Sequence, residues 1–246
     1  MSNLHSFLKA DLWQQWAQIE TDQKKRKPAP PVQKPYPPNA TLVDLIPPGE
    51  FKIPDVSVFD AIARRRSHRN YTGQPLSQTE LSFLLWATQG VRDVLVDGKY
   101  TLRTVPSAGA RHPFETYILA QQVTGLDPAL YRYLPVEHKL LFMQRIEDLA
   151  VKVWAATDTF FRECAVIFLW TVIPYRTEWR YGSISPKLIA LDAGHVCENL
   201  YLACEAIGAG TCAVAAYNQK ELDQALGLDG SEEFTIYTAP VGKVKG

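Results

Sequence analysis

The spacing of apolar residues predicts a set of strands in the middle and at the end of the chain. Short runs rich in β-branched and aromatic residues, separated by turn residues such as Gly125 and Pro128, are typical of strands. Residues 164–173 are almost wholly apolar, as expected of a central strand covered on both faces. The first three runs follow one another closely and predict a β-meander. The predicted strands are residues 115–123, 129–133, 138–144, 164–173, 212–216 and 234–241.

Helix start and stop signals occur outside these strands. Ser57 and Ser77 each precede an acidic residue by three positions and begin an amphipathic run, which is the pattern of a capping box. Residues 187–207 carry few polar positions and end at Gly208 and Gly210, so they predict a long and largely buried helix. Helices interspersed with a mixed, mostly antiparallel central sheet predict the α+β class.

Residues 1–56 differ from residues 57–246, and we treat them as an N-terminal arm. Within the arm, residues 4–19 have apolar positions near a period of 3.6 and predict a helix. Residues 24–27 are basic, and a solvated helix end is favoured there over a partner-binding tail. Frequent prolines over residues 28–54 predict an extended, polyproline-like segment. Several arm residues need apolar partners, for which a second subunit is a natural place: Leu42, Val43, Leu45, Ile46 and Phe51.

Charge and composition limit the classes of partner. Lys+Arg and Asp+Glu both number 26 among 246 residues, so no global field attracts nucleic acid or an anionic membrane. The chain has no apolar run of about 18 residues, and residues 1–20 lack the apolar segment of a signal peptide. The sequence therefore predicts a soluble protein. The cysteines stand in apolar surroundings without a C-x-x-C pair, which favours buried free thiols in a reducing cytoplasm over disulfides or zinc: Cys164, Cys197, Cys204 and Cys212.

A cluster of arginines at the end of the first amphipathic helix is a candidate for ligand chemistry. Residues 64–71 read RRRSHRNY. Arginines on both sides of Ser67 place several fork-shaped donors and a hydroxyl in a small volume, and a phosphate accepts such donors in bidentate geometry. A solvated basic helix end explains the isolated cluster equally well.

Three further segments combine small residues with turns. Residues 105–115 (VPSAGARHPFE) place Arg111 and small residues between two prolines, so that the backbone can approach a planar ligand closely; the alternative is an ordinary loop before a strand. Residues 208–217 (GAGTCAVAAY) have tiny side chains that leave room beside a large flat ring and expose backbone N–H donors. Residues 240–245 read PVGKVK.

Taken in order, these segments resemble the nitroreductase family. The matching features are R-R-S-x-R-x-Y, P-S-A-G-A-R-H-P, L-D-A-G-H on the long helix and a closing P-V-G-K. The P-S-A-G-A-R-H-P form and the nearby L-Y-x-Y are similar to the SagB-type branch, which includes azoline dehydrogenases. The resemblance extends over residues 57–246 and implies a nitroreductase-like fold, a homodimer and FMN at the subunit interface. Many family members have Asn and Gln where Ala110 and His112 stand.

The resemblance also implies a role for each matching residue. Arg65, Arg66 and Ser67 would bind the phosphate and ribityl end of FMN, and Arg69 would point toward the polar edge of the ring. The second flavin-contacting segment would consist of Pro106, Ser107, Ala108, Gly109 and Arg111. Ala215 and Ala216 would supply backbone donors near flavin N5, and Lys243 would direct a cation toward the phosphate.

The azoline-oxidising branch resembles this chain in a W-K-Y segment before the long helix, where Lys and Tyr transfer protons. Here the segment reads Trp179-Arg180-Tyr181. Arginine stays protonated and is a poor general base, whereas Tyr181 keeps a titratable hydroxyl but is equally explained as a partly buried structural tyrosine. His195 and Glu198 lie one turn apart on the long helix, where satisfied core polar groups are favoured over a metal or acid–base pair.

The favoured function is an FMN-dependent oxidoreductase that moves hydride between NADH, NADPH or a small organic donor and an acceptor. The flavin carries this redox chemistry, so no protein acid or base is required. The main alternative is an azoline (thiazoline or oxazoline) dehydrogenase that acts on peptides with a cyclodehydratase partner. A flavin-binding protein without turnover, a flavin-remodelling enzyme and a peptide- or nucleic-acid-binding module without cofactor are the other hypotheses.

Overall fold

A computed structural model of the chain describes residues 5–96 and 98–245. Over these residues the chain forms nine strands. Most of them are rich in branched and aromatic side chains, which pack well on a pleated surface. Their bounds are β1 (Leu42–Asp44), β2 (Val91–Leu95), β3 (Tyr100–Arg103), β4 (Phe114–Ala120), β5 (Ala129–Leu134), β6 (Lys139–Arg145), β7 (Val166–Val172), β8 (Ala209–Thr211) and β9 (Phe234–Lys243).

Seven of these strands form one sheet in the order β1-β6-β5-β4-β7-β9-β8, and β2 and β3 form a separate hairpin. The strand pairs are antiparallel. The neighbours β4, β5 and β6 are consecutive in the chain, which confirms the predicted meander. β7 lies between β4 and β9 and is buried along its whole length. This confirms the central strand predicted at residues 164–173.

The described chain also contains six α-helices, three of which begin after a residue whose side chain caps them. Ser77 begins a complete capping box, because its side chain accepts the Glu80 N–H and the Glu80 carboxylate accepts the Ser77 N–H. Ser57 accepts the Asp60 N–H, and its hydroxyl donates to the Asp60 carboxylate. The helices are α1 (Val58–Arg64), α2 (Gln78–Gln89), α3 (Glu147–Ala156), α4 (Tyr175–Tyr181), α5 (Ser185–Ala206) and α6 (Gln219–Leu226). The helix predicted at residues 187–207 is thereby confirmed as α5.

The seven-stranded sheet is covered on both faces, since alternate residues of β7 belong to two different apolar clusters. Phe168 and Trp170 pack in a cluster with residues of α2 and α5. Ile167 and Leu169 pack in a cluster with residues of α3 and α6. Because successive side chains of a strand point to opposite faces, the helices form two layers around the sheet. The predicted α+β class with a mostly antiparallel central sheet is confirmed, with α5 in one outer layer.

The predicted helix over residues 4–19 is wrong where the structure describes it. Two short 3-10 turns, Ser6–Leu8 and Asp11–Gln15, stand in its place. A helix of this length is marginal in water without tertiary packing. Instead, the ammonium groups of Lys24 and Lys187 donate to main-chain carbonyls of this segment at 2.6 to 2.7 Å. Lys187 thereby binds the Leu8 carbonyl, which a continuous helix would use internally, and Lys24 binds the carbonyls of Trp16 and Ile19 at the end of the segment.

The strand predicted at residues 212–216 is also wrong. Gly208 turns the chain immediately after α5 with a φ of +60°, so the strand begins earlier and β8 pairs with β9 over residues 209–211. The following residues form a loop that meets β9 at the Val214–Thr238 bridge. Within the small-residue segment 208–217, the residues after β8 therefore belong to a loop at the edge of the sheet.

The N-terminal arm packs on its own subunit. Leu45 is buried in the core beside α2. Phe51 lies against Phe83 and Trp86, with ring centroids 5.7 and 5.8 Å apart. β1 adds to the sheet edge next to β6. The burial of these arm residues therefore requires no second subunit, and a dimer-wrapping role of the arm stays a prediction.

A buried carboxylate fastens the arm to the sheet. Glu115 is 3% exposed and accepts the Lys34 N–H at 2.8 Å and the Arg176 guanidinium at 2.5 Å. The Arg132 guanidinium lies 3.7 Å from the same carboxylate and donates to the carbonyls of Lys34 and Pro35. Buried charges need such partners. The arrangement holds the arm and α4 in fixed positions beside β4.

Two features bear on the environment of the protein. Within residues 5–96 and 98–245, no helix combines the length and apolarity needed to cross a bilayer. All four cysteines are buried, as predicted. Burial raises the pKa of the Cys197 thiol to about 12, so this thiol is not a reactive thiolate at neutral pH.

Candidate functional site

The segment that follows α1 runs beside β8 at the edge of the sheet. Ser67 forms a parallel bridge with Thr211. The Ser67 hydroxyl lies 3.0 Å from the hydroxyl of Tyr201 on α5, which also accepts the Ala213 N–H at 2.8 Å. When Tyr201 donates to Ser67, the Ser67 proton is free for a ligand. Tyr201 thus joins the arginine segment to the small-residue segment at residues 208–217.

The arginines of this segment differ in their partners. Arg64 forms an ion pair with Asp60 at 3.1 Å. Arg65 is half-buried and lies 5.3 Å above an aromatic ring of α5. Arg66 and Arg69 are exposed, and within the described chain neither forms a hydrogen bond or an ion pair. The structure therefore presents two uncompensated guanidinium groups on either side of Ser67.

The segment at residues 105–115 contains a loop with an unusual backbone conformation. Gly109, Ala110 and His112 have φ angles of +59°, +53° and +44°. A left-handed conformation costs a residue with a Cβ about 1–2 kcal/mol, so two positions of this loop are strained. Such strain persists only where the surroundings hold it.

A carboxylate on α5 holds the start of this loop, and Ser107 links that start to the end. Asp192 accepts the Ser107 hydroxyl at 2.6 Å and the Ala108 N–H at 3.1 Å. The Ser107 oxygen in turn accepts the His112 N–H at 2.9 Å. Burial raises the pKa of Asp192, and the two hydrogen bonds from the loop oppose this rise. The loop is therefore fixed by one buried side chain.

The two basic side chains of the loop point inward. Arg111 is 5% exposed, lies 4.4 Å from the ring centroid of Tyr100 and 5.2 Å from that of Trp179, and donates to the Gly109 carbonyl at 3.2 Å. Burial lowers the pKa of Arg111. Burial and nearby arginines lower the pKa of His112 to about 2, so its imidazole is neutral. The predicted ligand contact of Arg111 therefore requires a rearrangement of its side chain.

The structure brings the W-R-Y segment into contact with this loop. A Cβ at Gly109 would lie 2.6 Å from the Tyr181 hydroxyl and 2.8 Å from the Arg180 side chain. A Cβ at this position would force the ends of both side chains to move. Trp13 and Trp16 lie against Tyr181, with ring centroids 6.0 and 6.1 Å away. The N-terminal turns thus cover the outer side of Tyr181.

The remaining predicted residues lie in different surroundings. Ala215 and Ala216 are exposed in the loop after β8, where their backbone is open to a ligand. The Lys243 ammonium donates to the Glu80 carboxylate and to the Ile207 carbonyl, both at 2.5 Å. Lys243 is therefore engaged by α2 and the end of α5, and a role at a phosphate would require it to leave these partners.

The candidate residues fall into two groups on opposite sides of α5. The loop group is the loop over residues 107–112, and the arginine group is the segment over residues 65–69. Asp192 holds the loop group and Tyr201 holds the arginine group. These two residues are nine positions apart, which corresponds to about 14 Å along the helix axis and to about two and a half turns. The two groups therefore face away from each other across α5 within one chain.

Sequence analysis missed the two α5 residues that organise the site. The sequence predicts no role for Asp192 beyond its place in the L-D-A-G-H motif, and it predicts none for Tyr201. A signal existed, since both are polar residues in a helix that is otherwise apolar on its buried sides, and buried polar groups need partners. The core placement favoured for His195 and Glu198 is wrong, because both side chains are exposed. The residue that turns inward on this part of α5 is Asp192.

Two solved structures show the same fold. A protein of Ralstonia eutropha described as a nitroreductase superimposes with a TM-score of 0.69 at 24% identity, over 89% of this chain and 100% of its own. The Escherichia coli microcin synthetase complex McbBCD, bound to truncated pro-MccB17, contains a chain that superimposes with a TM-score of 0.62 at 18% identity, over 82% of this chain and 78% of its own. These structural similarities identify the fold of the chain.

Sequence comparison carries the family. A protein of Methanocaldococcus jannaschii named as a nitroreductase is 32% identical over 198 residues, which cover 79% of this chain and 96% of the relative. The model of the nitroreductase family matches residues 62–243. This match begins within α1 and ends at Lys243, so it includes both groups of candidate residues. The chain belongs to the nitroreductase family.

Proposed function

We propose that this nitroreductase-family oxidoreductase depends on FMN and transfers hydride between a nicotinamide or another small organic donor and an acceptor. Family membership supports the oxidoreductase class. The observation that carries the cofactor assignment is the arginine segment. Arg66 and Arg69 are exposed cations without protein partners in the described chain, and Ser67 lies between them with a hydroxyl oriented by Tyr201.

The donor set of this segment fits the phosphate of FMN. Guanidinium groups bind phosphate oxygens in a bidentate way, and hydrogen bonds between ions are stronger than neutral ones. Two unpaired guanidiniums and one hydroxyl match a doubly charged group with three terminal oxygens. Arg64 is not part of this set, since its charge is neutralised by Asp60.

The small-residue segments fit a flat ring system. Ala108, Gly109 and Ala110 carry no bulky side chain over the loop, and Ala215 and Ala216 expose their backbone. FMN supplies the hydride chemistry when it is bound, and the protein supplies position and electrostatics. Backbone N–H donors directed at the ring stabilise the negative charge that develops on reduction. Hydride transfer from a nicotinamide needs no protein base, so the proposal assigns none.

We further propose that the site is completed by a second copy of the chain. The support is the separation of the loop group and the arginine group on opposite sides of α5, described above. An FMN molecule held by the arginine group of one protomer and by the loop group of its partner would use all of the candidate residues. Exposed apolar side chains near the arginine segment agree with an interface there: Val58, Phe59 and Ile62 are 71%, 80% and 59% exposed.

The proposal is tested by cofactor binding and by reduction. The purified protein should bind one FMN per chain, with a rise in thermal midpoint, because a ligand that binds only the native state stabilises it. Anaerobic addition of NADH or NADPH, followed by a panel of oxidants, should bleach and then restore the flavin absorbance. A colourless protein whose midpoint is unchanged by FMN would refute the assignment.

A second candidate function is azoline oxidation on a peptide substrate with a cyclodehydratase partner. The observation that favours it is the contact of Arg180 and Tyr181 with Gly109, inside the proposed flavin-contacting loop. The structural similarity to a chain of the microcin synthetase complex agrees with it at the level of fold. Arginine is a poor base, so Tyr181 would have to remove the proton alone. Loss of activity on an azoline peptide in Tyr181→Phe, with nicotinamide oxidation unchanged, would support this function.

A further inference from the structure

We propose that Asp192 is a positioning residue, whose carboxylate holds the 107–112 loop in the strained conformation in which the loop meets the cofactor. This inference rests on the proposed function. It assigns to helix α5 the positioning of this loop, a role that the arginines and the small residues do not have. Asp192 touches the loop and would act on FMN only through it.

The first support is the number of loop groups that one buried side chain engages. Asp192 is 3% exposed, and both of its oxygens lie within hydrogen-bond distance of the Ala108 nitrogen. One of them also accepts the Ser107 hydroxyl, which accepts the His112 N–H. The carboxylate thereby holds the start of the loop, and the Ser107 hydroxyl that it orients links this start directly to His112 at the end. Hydrogen bonds to an ionised acceptor are the strong ones.

The second support is the backbone that this carboxylate holds. Ala110 and His112 carry Cβ atoms at φ angles of +53° and +44°, and Gly109 is also left-handed. A free loop of this sequence would leave these conformations, because residues with a Cβ disfavour them. Gly109 is additionally wedged against Tyr181. The loop shape therefore depends on contacts from outside the loop, and Asp192 provides the hydrogen bonds.

A consequence concerns Ser107. Its proton is donated to Asp192, so toward a cofactor its oxygen can only accept. The Ala108 N–H is likewise directed to Asp192. The contribution of these two residues to cofactor binding is then the shape of the loop, and direct donors must come from elsewhere.

The test uses Asp192→Asn, which keeps the size of the side chain, and a matched control on another helix. Asp223 on α6 is also a buried carboxylate, 4% exposed, and accepts the Thr235 N–H and the Gln219 amide at 2.8 Å. Asp223→Asn therefore removes a comparable structural anchor whose hydrogen-bond partners, Gln219 and Thr235, lie outside the 107–112 loop and the arginine segment. Each variant is compared with the wild type in amide hydrogen exchange of the apoprotein, in FMN titration and in the visible spectrum of bound flavin.

In Asp192→Asn the amides of Ala108 and His112 should exchange faster in the apoprotein. The FMN dissociation constant should rise about tenfold to a hundredfold, since apparent affinity falls with the fraction of loop conformers that can bind. The flavin spectrum should shift, because the ring environment changes. Asp223→Asn should lower the thermal midpoint but leave the dissociation constant and the spectrum unchanged. Ser107→Ala should change the same quantities as Asp192→Asn, to a smaller extent.

Unchanged exchange and unchanged FMN affinity in Asp192→Asn would overturn the inference, as would an equal loss of affinity in Asp223→Asn. Failure of the proposed function is a separate outcome. A wild type that binds no FMN refutes the proposed function and the cofactor part of this inference. Faster exchange in Asp192→Asn would then still establish that this carboxylate holds the loop.

Discussion

We expect the Arg66→Ala substitution to weaken FMN binding strongly while leaving the fold intact. Arg66 is exposed and makes no hydrogen bond or ion pair within the described chain, so its truncation removes no internal contact. Exposed substitutions of this kind change the free energy of unfolding by no more than about 0.5 kcal/mol. Loss of one charge-assisted hydrogen bond to phosphate costs about 1.5–3 kcal/mol. This corresponds to an increase of about 10- to 150-fold in the dissociation constant.

The matched control for this experiment is Arg64→Ala. It makes the same change of charge two residues away, but Arg64 is paired with Asp60 and its side chain is 62% exposed. Because the charge of Arg64 is already paired with Asp60 and an exposed pair contributes little, we expect less than about a threefold change in FMN affinity. FMN is titrated by fluorescence quenching at fixed ionic strength, and the thermal midpoint of each apoprotein is recorded. Equal effects of both variants would indicate a general field, and no effect of Arg66→Ala would place the phosphate elsewhere.

Further predictions address catalysis, stability and assembly. Tyr181→Phe and Arg180→Lys should each lower the rate of nicotinamide oxidation less than tenfold, roughly, because that hydride transfer needs no base; a loss of about a hundredfold at full FMN content would contradict the reductase function. Glu115→Gln should lower the free energy of unfolding by about 3–5 kcal/mol in urea denaturation, since it leaves two buried guanidiniums without their carboxylate. The native pKa of His112 is lowered to about 2, so the unfolded chain binds an extra proton below its normal pKa of about 6.5, and stability should fall as pH drops below that value. His112→Asn should reduce this slope, which reaches at most about 1.4 kcal/mol per pH unit. Light scattering should give a dimer, and a monomer with FMN fully bound would contradict the shared site.

The central sheet could be predicted because burial leaves a strong signal in sequence. Residues 164–173 are apolar on both faces, and the strand they form is fully buried between two neighbours. The helix at 187–207 was predicted for the same reason. Local capping chemistry was equally readable at Ser77, whose box forms in full. In each case the residues that define the element also bury it.

The elements that were missed or wrong depend on contacts made elsewhere. β2 has no buried face, since its residues Val91–Leu95 are mostly exposed, so no alternation marked the β2–β3 hairpin. The segment over residues 4–19 has helical spacing, but the distant Lys187 binds its Leu8 carbonyl and the continuous helix does not form. The position of β8 is set by a left-handed Gly208 rather than by the apolar run after it. Patterns along the chain carry none of this tertiary information.

The candidate site was only partly readable for a related reason. Motifs identified Ser67 and Ser107 as candidates, yet motifs carry no geometry, and nothing in their spacing says that the two residues bind different faces of one helix. That information lies in α5, where Asp192 and Tyr201 are nine residues apart and each residue turns the helix by about 100°. The sum is about 900°, which directs the two side chains to opposite sides. The two segments would hold different parts of FMN, the phosphate end and the ring, and a second copy of the chain would bring one segment of each kind together at one cofactor. This arrangement is the shared site proposed above, which the light-scattering measurement tests.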